Sequence, residues 1–169
     1  MDHVDKILAQ WQSERPDLKL ADMGLLGRLA RLYRHLVPEM GKTFAAHGLN
    51  PASFDVLATL RRSGPPYGLS PNELLAATMV TSGTMTNRID QLVKAGMVER
   101  IPNPRDGRSF IIALTEEGFA VIDAAVTDHV ENQARLVACL SEEEMSQLNT
   151  LLRDYLIRLG DEIEPDDHS

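Results

Sequence analysis

Between Ser70 and Gly118 the chain reads SPNELLAATMVTSGTMTNRIDQLVKAGMVERIPNPRDGRSFIIALTEEG, and the way these residues divide decides the fold. Ser70-Pro71-Asn72-Glu73 has the S-x-x-E form of a capping box. Its proline falls in the first turn, where a missing N–H costs nothing. A short helix over 71–77 follows. After Met79-Val80-Thr81 a second helix is predicted from Ser82 to Ala95, stopped by Gly96. Met85, Ile89, Leu92 and Val93 recur at the spacing of one inner face. Two strands are predicted at 97–101 and 108–114, with Asp106-Gly107 as the hairpin signal between them.

A short helix, a tight turn and a polar second helix are the parts of a helix-turn-helix. A helix that enters the major groove needs small polar residues at its leading end. Thr81, Ser82, Gly83, Thr84, Thr86 and Asn87 meet that need, with Arg88 behind them. The hairpin tip carries Arg105, Asp106, Arg108 and Ser109, which suit a minor groove or a phosphate backbone. Taken alone, the Ser/Thr-rich helix is equally an ordinary amphipathic surface, and the tip an ordinary solvated turn. In tandem they predict a winged helix-turn-helix at about 70–112.

Outward from this module the chain is helical. Residues 4–13 place Val4, Ile7, Leu8 and Trp11 on one side of a short helix that ends before Pro16. A long helix is predicted from an N-cap at Asp22 to His47-Gly48, with Pro38 expected to kink it. Asn50-Pro51 opens a helix over 51–63, closed by Ser63-Gly64-Pro65-Pro66. Thr115 begins another long helix reaching about Leu140, and Ser141-Glu142-Glu143-Glu144 is a second capping box before a last amphipathic helix. The expected fold is mainly α with a small β-hairpin wing. Residues 1–48 and 115–169 are expected to form a dimerisation domain around a DNA-binding domain at 49–114. The apolar faces of 25–44 and 145–159 exceed what their local partners can cover, which predicts a homodimer.

The formal net charge of −8 is unevenly spread. Residues 1–60 are neutral, 61–114 carry +3 and 115–169 carry −11, so the cationic excess falls on the predicted DNA-reading module. No apolar run reaches the ~20 residues of a membrane span, and the N-terminus lacks a signal-peptide pattern. A cytoplasmic protein is expected. Cys139 is the sole cysteine, so no internal disulfide forms; it is expected to be packed or idle. The five histidines are scattered without ligand spacing, so neither a metal nor another cofactor is expected. The sequence holds no recognisable pair of catalytic carboxylates and no nucleophile elbow. An enzyme is therefore a remote reading, and a helical interaction module without DNA binding is the other rival.

The stretch from Leu69 to Arg100, followed by a D-x-R-S wing (Asp106–Ser109) and an L-T-x-x-G segment (Leu114–Gly118), resembles the MarR family of bacterial winged-helix regulators. That resemblance implies an obligate homodimer, a pseudo-palindromic operator in double-stranded DNA and, by default, repression. The extra N-terminal helix with Q-W-x-x-E-R-P-D-L (Gln10 to Leu18) resembles the PecS-like, urate-responsive branch. The positions matching that branch's ligand residues are Trp11, Asp55, Arg88 and Arg100. Their chemistry is coherent for a planar purine anion: an aromatic face for stacking, a guanidinium for charge, and an Asp55–Arg100 pair for the anion to disturb. A regulator sensing a phenolic or other aromatic acid is the alternative.

Overall fold

The computed structural model describes residues 1–78, 82–104 and 106–161, leaving aside the side chains of 82–84 and 106–108. Among them the order is α1 (His3–Glu14), α2 (Ala21–Ala46), α3 (Pro51–Arg62), β1 (Gly68–Leu69), α4 (Pro71–Ala77), α5 (Ser82–Lys94), β2 (Val98–Asn103), β3 (Asp106–Leu114), α6 (Glu116–Val137) and α7 (Glu142–Arg158). The chain divides into two compact units, Met1–Asn132 and Gln133–Ser169, with the division inside α6.

In the first unit, α3, α4, α5, the sheet and the early turns of α6 enclose one core. Val56, Leu57 and Leu60 of α3, Leu74 of α4, Ile112 of β3 and Ile122 of α6 are fully buried. Each such side chain contributes roughly 1.5–3 kcal/mol relative to exposure. Met85, Ile89 and Leu92 face this core from α5, as their spacing predicted. Phe44 stacks on Phe54 at 4.1 Å between ring centres, and His129 of α6 lies 4.9 Å and 5.0 Å from the same two rings. Burial holds the His129 imidazole below its ordinary pKa.

α1 seats on α2 along two glycines. A Cβ on Gly27 would stand 3.3 Å from a Val4 methyl, and one on Gly24 would stand 3.2 Å from a Leu8 methyl. Arg28 locks the seam, donating from Nε to Asp2 at 2.8 Å and from Nη2 to Asp5 at 2.5 Å. Asp2 and Asp5 also form the capping box of α1, and the Asp5 N–H together with Arg28 holds the Asp2 carboxyl below its usual range.

The expected elements are present with shifted ends. α2 begins at Ala21 after Leu20, which makes no side-chain cap, so Asp22 is a first-turn residue and not the N-cap. There its charge favours the positive end of the helix dipole. Pro38 lies within α2, which continues through it without a break. Cys139 is exposed just beyond α6, not packed. The two strands run longer than predicted because Asn103 pairs with Asp106. Asp106-Gly107 therefore begin β3 and are not the hairpin turn itself. β1 is a short edge strand that the sequence pattern did not disclose; Gly68 pairs with Ala113 and Leu69 with Ile112, giving the sheet order β1-β3-β2.

The L-T-x-x-G segment is a junction. Thr115 Oγ1 donates to Gly96 O at 2.6 Å and accepts from the Gly118 N–H at 3.0 Å. Gly118 approaches the backbone of Met97 so closely that a Cβ there would stand 1.8 Å from the Met97 carbonyl oxygen. Only glycine allows the first turn of α6 to lie against the entry to β2.

In the second unit, α7 starts at a true capping box. Ser141 Oγ accepts from the Glu144 N–H at 3.2 Å, and Glu144 accepts from the Ser141 N–H at 2.8 Å. Its apolar residues lack cover: Leu151 and Leu159 are 68% and 66% exposed.

Candidate nucleic-acid interface and the cavity beside it

The helix-turn-helix is built from its caps inward. Ser70 and Glu73 make the predicted reciprocal bonds at the start of α4. The end of α4 is held from outside: Arg62, the last residue of α3, donates to Ala77 O at 2.6 Å. That bond satisfies a carbonyl left free at the helix terminus. The next helix, α5, buries Met85, Ile89 and Leu92 and leaves Thr86, Asn87 and Gln91 exposed. Of the predicted reading residues, Thr86 and Asn87 thus lie on the open face. Thr81 and Arg105 fall outside the described residues, as do the side chains of Ser82, Thr84, Asp106 and Arg108 and the surroundings of Gly83. Ser109 is half-buried in β3 and accepts from Asn103 Nδ2 at 2.9 Å across the hairpin.

The four expected ligand residues occupy different places. Trp11 is on α1 and is 43% exposed. Asp55 is half-buried on α3 and already has an interaction partner. Arg100 does not pair with Asp55. Its guanidinium instead donates to Asp90 of α5 and lies 5.5 Å from the Phe110 ring centre in β3. The carboxylate a short turn away, across the α5–β2 junction, takes the cation that the sequence had assigned to a more distant one.

Arg88 is the residue set apart. It lines a cavity of about 480 Å3 with Asn87 and Gln91 of α5 and with Asn50, Pro51 and Ala52 at the start of α3. Its Nε is buried without a hydrogen-bond partner. A buried guanidinium N–H left unpaired costs about 1–3 kcal/mol. The start of α3 is itself satisfied, because Asn50 Oδ1 accepts from the Ala52 and Ser53 N–H groups at 3.1 Å and 2.9 Å. Among the described residues lining the cavity, the formal charge is that of Arg88, flanked by side-chain amides. Trp11, Asp55 and Arg100 are not among the described residues that line it. The sequence reading missed Gln91, although it lies three positions from Arg88 on one helix face. It also missed Arg62 and Asp90, whose partners are set by tertiary structure.

Among the described residues no group of His, Cys, Asp and Glu is arranged to hold a metal ion. No helix among them is long and apolar enough to cross a membrane.

A model of the MarR family matches residues 47–109. The transcriptional regulator PecS of Dickeya dadantii is 42% identical over 149 residues, covering 88% of this chain and 90% of that protein. A crystal structure of a mutant MarR from E. coli complexed with operator DNA is similar with a TM-score of 0.70 at 27% identity. That similarity spans 81% of this chain and 97% of that one. A structure concerning regulation of DNA binding of Bordetella bronchiseptica BpsR by 6-hydroxynicotinic acid is similar with a TM-score of 0.67 at 25% identity. There the shares are 76% and 90%.

Proposed function

The chain belongs to the MarR family of winged-helix transcription regulators, its identity to PecS supporting the PecS-like branch, and from that premise we propose that it is a homodimeric repressor released from its operator by a small anionic ligand. Urate or a related purine is the favoured ligand. The relatives and structural neighbours are transcription regulators, not enzymes.

The observation that carries the ligand reading is the position of Arg88. Arg88, whose Nε is buried without a partner, lines a cavity beside the helix whose exposed Thr86 and Asn87 are proposed to meet DNA. An anion drawn to that guanidinium acts directly on the reading helix, with no relay needed. In this reading 81–88 and the wing tip at 105–109 contact operator DNA, while Trp11 and Asp55 supply further ligand contacts. Residues 1–48 and 115–169 join two copies around the DNA-binding domains at 49–114. Support for a dimer comes from α2, where Leu25, Leu26, Leu32 and Tyr33 are each at least half exposed, and separately from α7. The protein would act in the cytoplasm, on the DNA beside its own gene.

The test is a mobility shift on operator DNA with urate added. Urate is expected to release the wild-type complex. Arg88→Gln is expected to respond at least ten-fold less while keeping its melting temperature. Urate leaving operator affinity unchanged at saturation would overturn the purine reading. The regulation of BpsR by 6-hydroxynicotinic acid favours a second reading, in which an aromatic acid takes the site. Release by salicylate or 6-hydroxynicotinate but not by urate would select it.

A further inference from the structure

We infer that Arg100 is a positioning residue for DNA reading, not a ligand residue: through Asp90 and Phe110 it fixes the wing against the reading helix. The observation is one guanidinium, carried on one element and engaged by two others. Arg100 stands on β2, donates to Asp90 on α5 and lies over the Phe110 ring of β3. The strand register explains the stacking. Arg100 is opposite Ile112 and Pro102 is opposite Phe110, so Arg100 and Phe110 are diagonal cross-strand neighbours.

Two physical needs meet at this contact. A two-stranded ribbon is weakly stable alone, and the register shifts between Pro102 and Asn103, so the direction of the wing must be set from its base. In addition, Asp90 places a carboxylate on the helix proposed to lie against phosphates, where an uncompensated negative charge opposes binding. Arg100 offsets that charge and ties the ribbon at the same point. The side chains of Asp90 and Arg100 are 47% and 36% exposed. An ion pair this open adds little to stability. Its effect is on where the wing points.

The experiment compares Asp90→Asn, Arg100→Gln and the double variant on operator DNA selected with the wild-type protein. Hydroxyl-radical footprinting reads the wing, and fluorescence anisotropy reads affinity. The two single changes alter net charge in opposite directions. Positioning predicts that both nonetheless lose the flanking minor-groove protection and bind roughly 3–10-fold more weakly. It also predicts that the double variant is no worse than the weaker single one, the signature of a shared contact. Arg100→Lys, which keeps the cation, is expected to recover part of the footprint. Melting temperatures are expected to stay within about 2 °C of wild type, which separates a positioning effect from unfolding. If affinity rises for Asp90→Asn and falls for Arg100→Gln, charge alone acts and the inference is overturned. It is also overturned if Arg100→Gln keeps the full footprint while losing its response to urate.

Discussion

Arg88 and Arg100 are the same residue type, and the fold gives them opposite circumstances. Arg100 finds a carboxylate and an aromatic ring, whereas Arg88 has a buried Nε with no partner. Sequence spacing placed both near the reading helix but could not tell them apart. The choice between Asp55 and Asp90 as partner depends on how α5 turns into β2, which no local pattern encodes. His129 teaches a similar lesson. Its sequence position marks it only as one of five scattered histidines, yet it lies against Phe44 and Phe54 with Nδ1 buried and unpartnered. Because burial holds its folded pKa below the ordinary value, the unfolded chain takes up the proton first as pH falls. This contribution is absent above the ordinary histidine range. It destabilises progressively below about 6.5. Thermal unfolding from pH 7.5 to 5 is expected to show a falling melting temperature. His129→Leu should flatten part of that slope.

At the scale of elements, the helices were legible where side chains meet backbone locally. The Ser70–Glu73 and Ser141–Glu144 boxes form as their spacing requires, and α5 buries the residues its periodicity named. What escaped was anything decided by contact across the fold. β1 is two residues long and exists because β3 offers an edge to pair with. The hairpin turn moved because Asn103 pairs with Asp106. The glycine of L-T-x-x-G was readable as a family mark, but its reason is the Met97 carbonyl. Gly118→Ala is expected to destabilise by roughly 3 kcal/mol or more, since neither backbone can yield. Urea denaturation measures it, and a loss under 1 kcal/mol would show that the junction relaxes freely. At the other end of the chain, Arg28→Ala should loosen α1 from α2, seen as faster amide exchange over residues 3–14 with protection of the Val56–Leu60 core unchanged.

For the whole molecule, charge and exposed apolar surface set the expectations. A chain of net charge −8 binds a polyanion only through a localised cationic face, so its affinity for operator DNA must fall steeply with salt. Several phosphate contacts predict a loss of at least about ten-fold between 50 and 200 mM salt. A flat dependence would remove the case for phosphate contact. Leu151 and Leu156 of α7 are exposed along a helix with no buried residue of its own. Replacing both with Glu is expected to give monomers in analytical ultracentrifugation and to abolish operator binding, where the wild type is expected to sediment as a dimer. The capacity for this face was visible in the apolar spacing of 145–159.

The cavity beside α5 has one further consequence. If Arg88 receives the signal on the helix that grips DNA, binding of the two partners is reciprocal: DNA must weaken the signal molecule by the same factor that the signal molecule weakens DNA. The dose that opens a promoter is then not a constant of the protein. A tight operator will demand a higher dose than a loose one, so a single regulator will switch its targets in sequence as the signal accumulates. The order of that sequence will be written in the DNA.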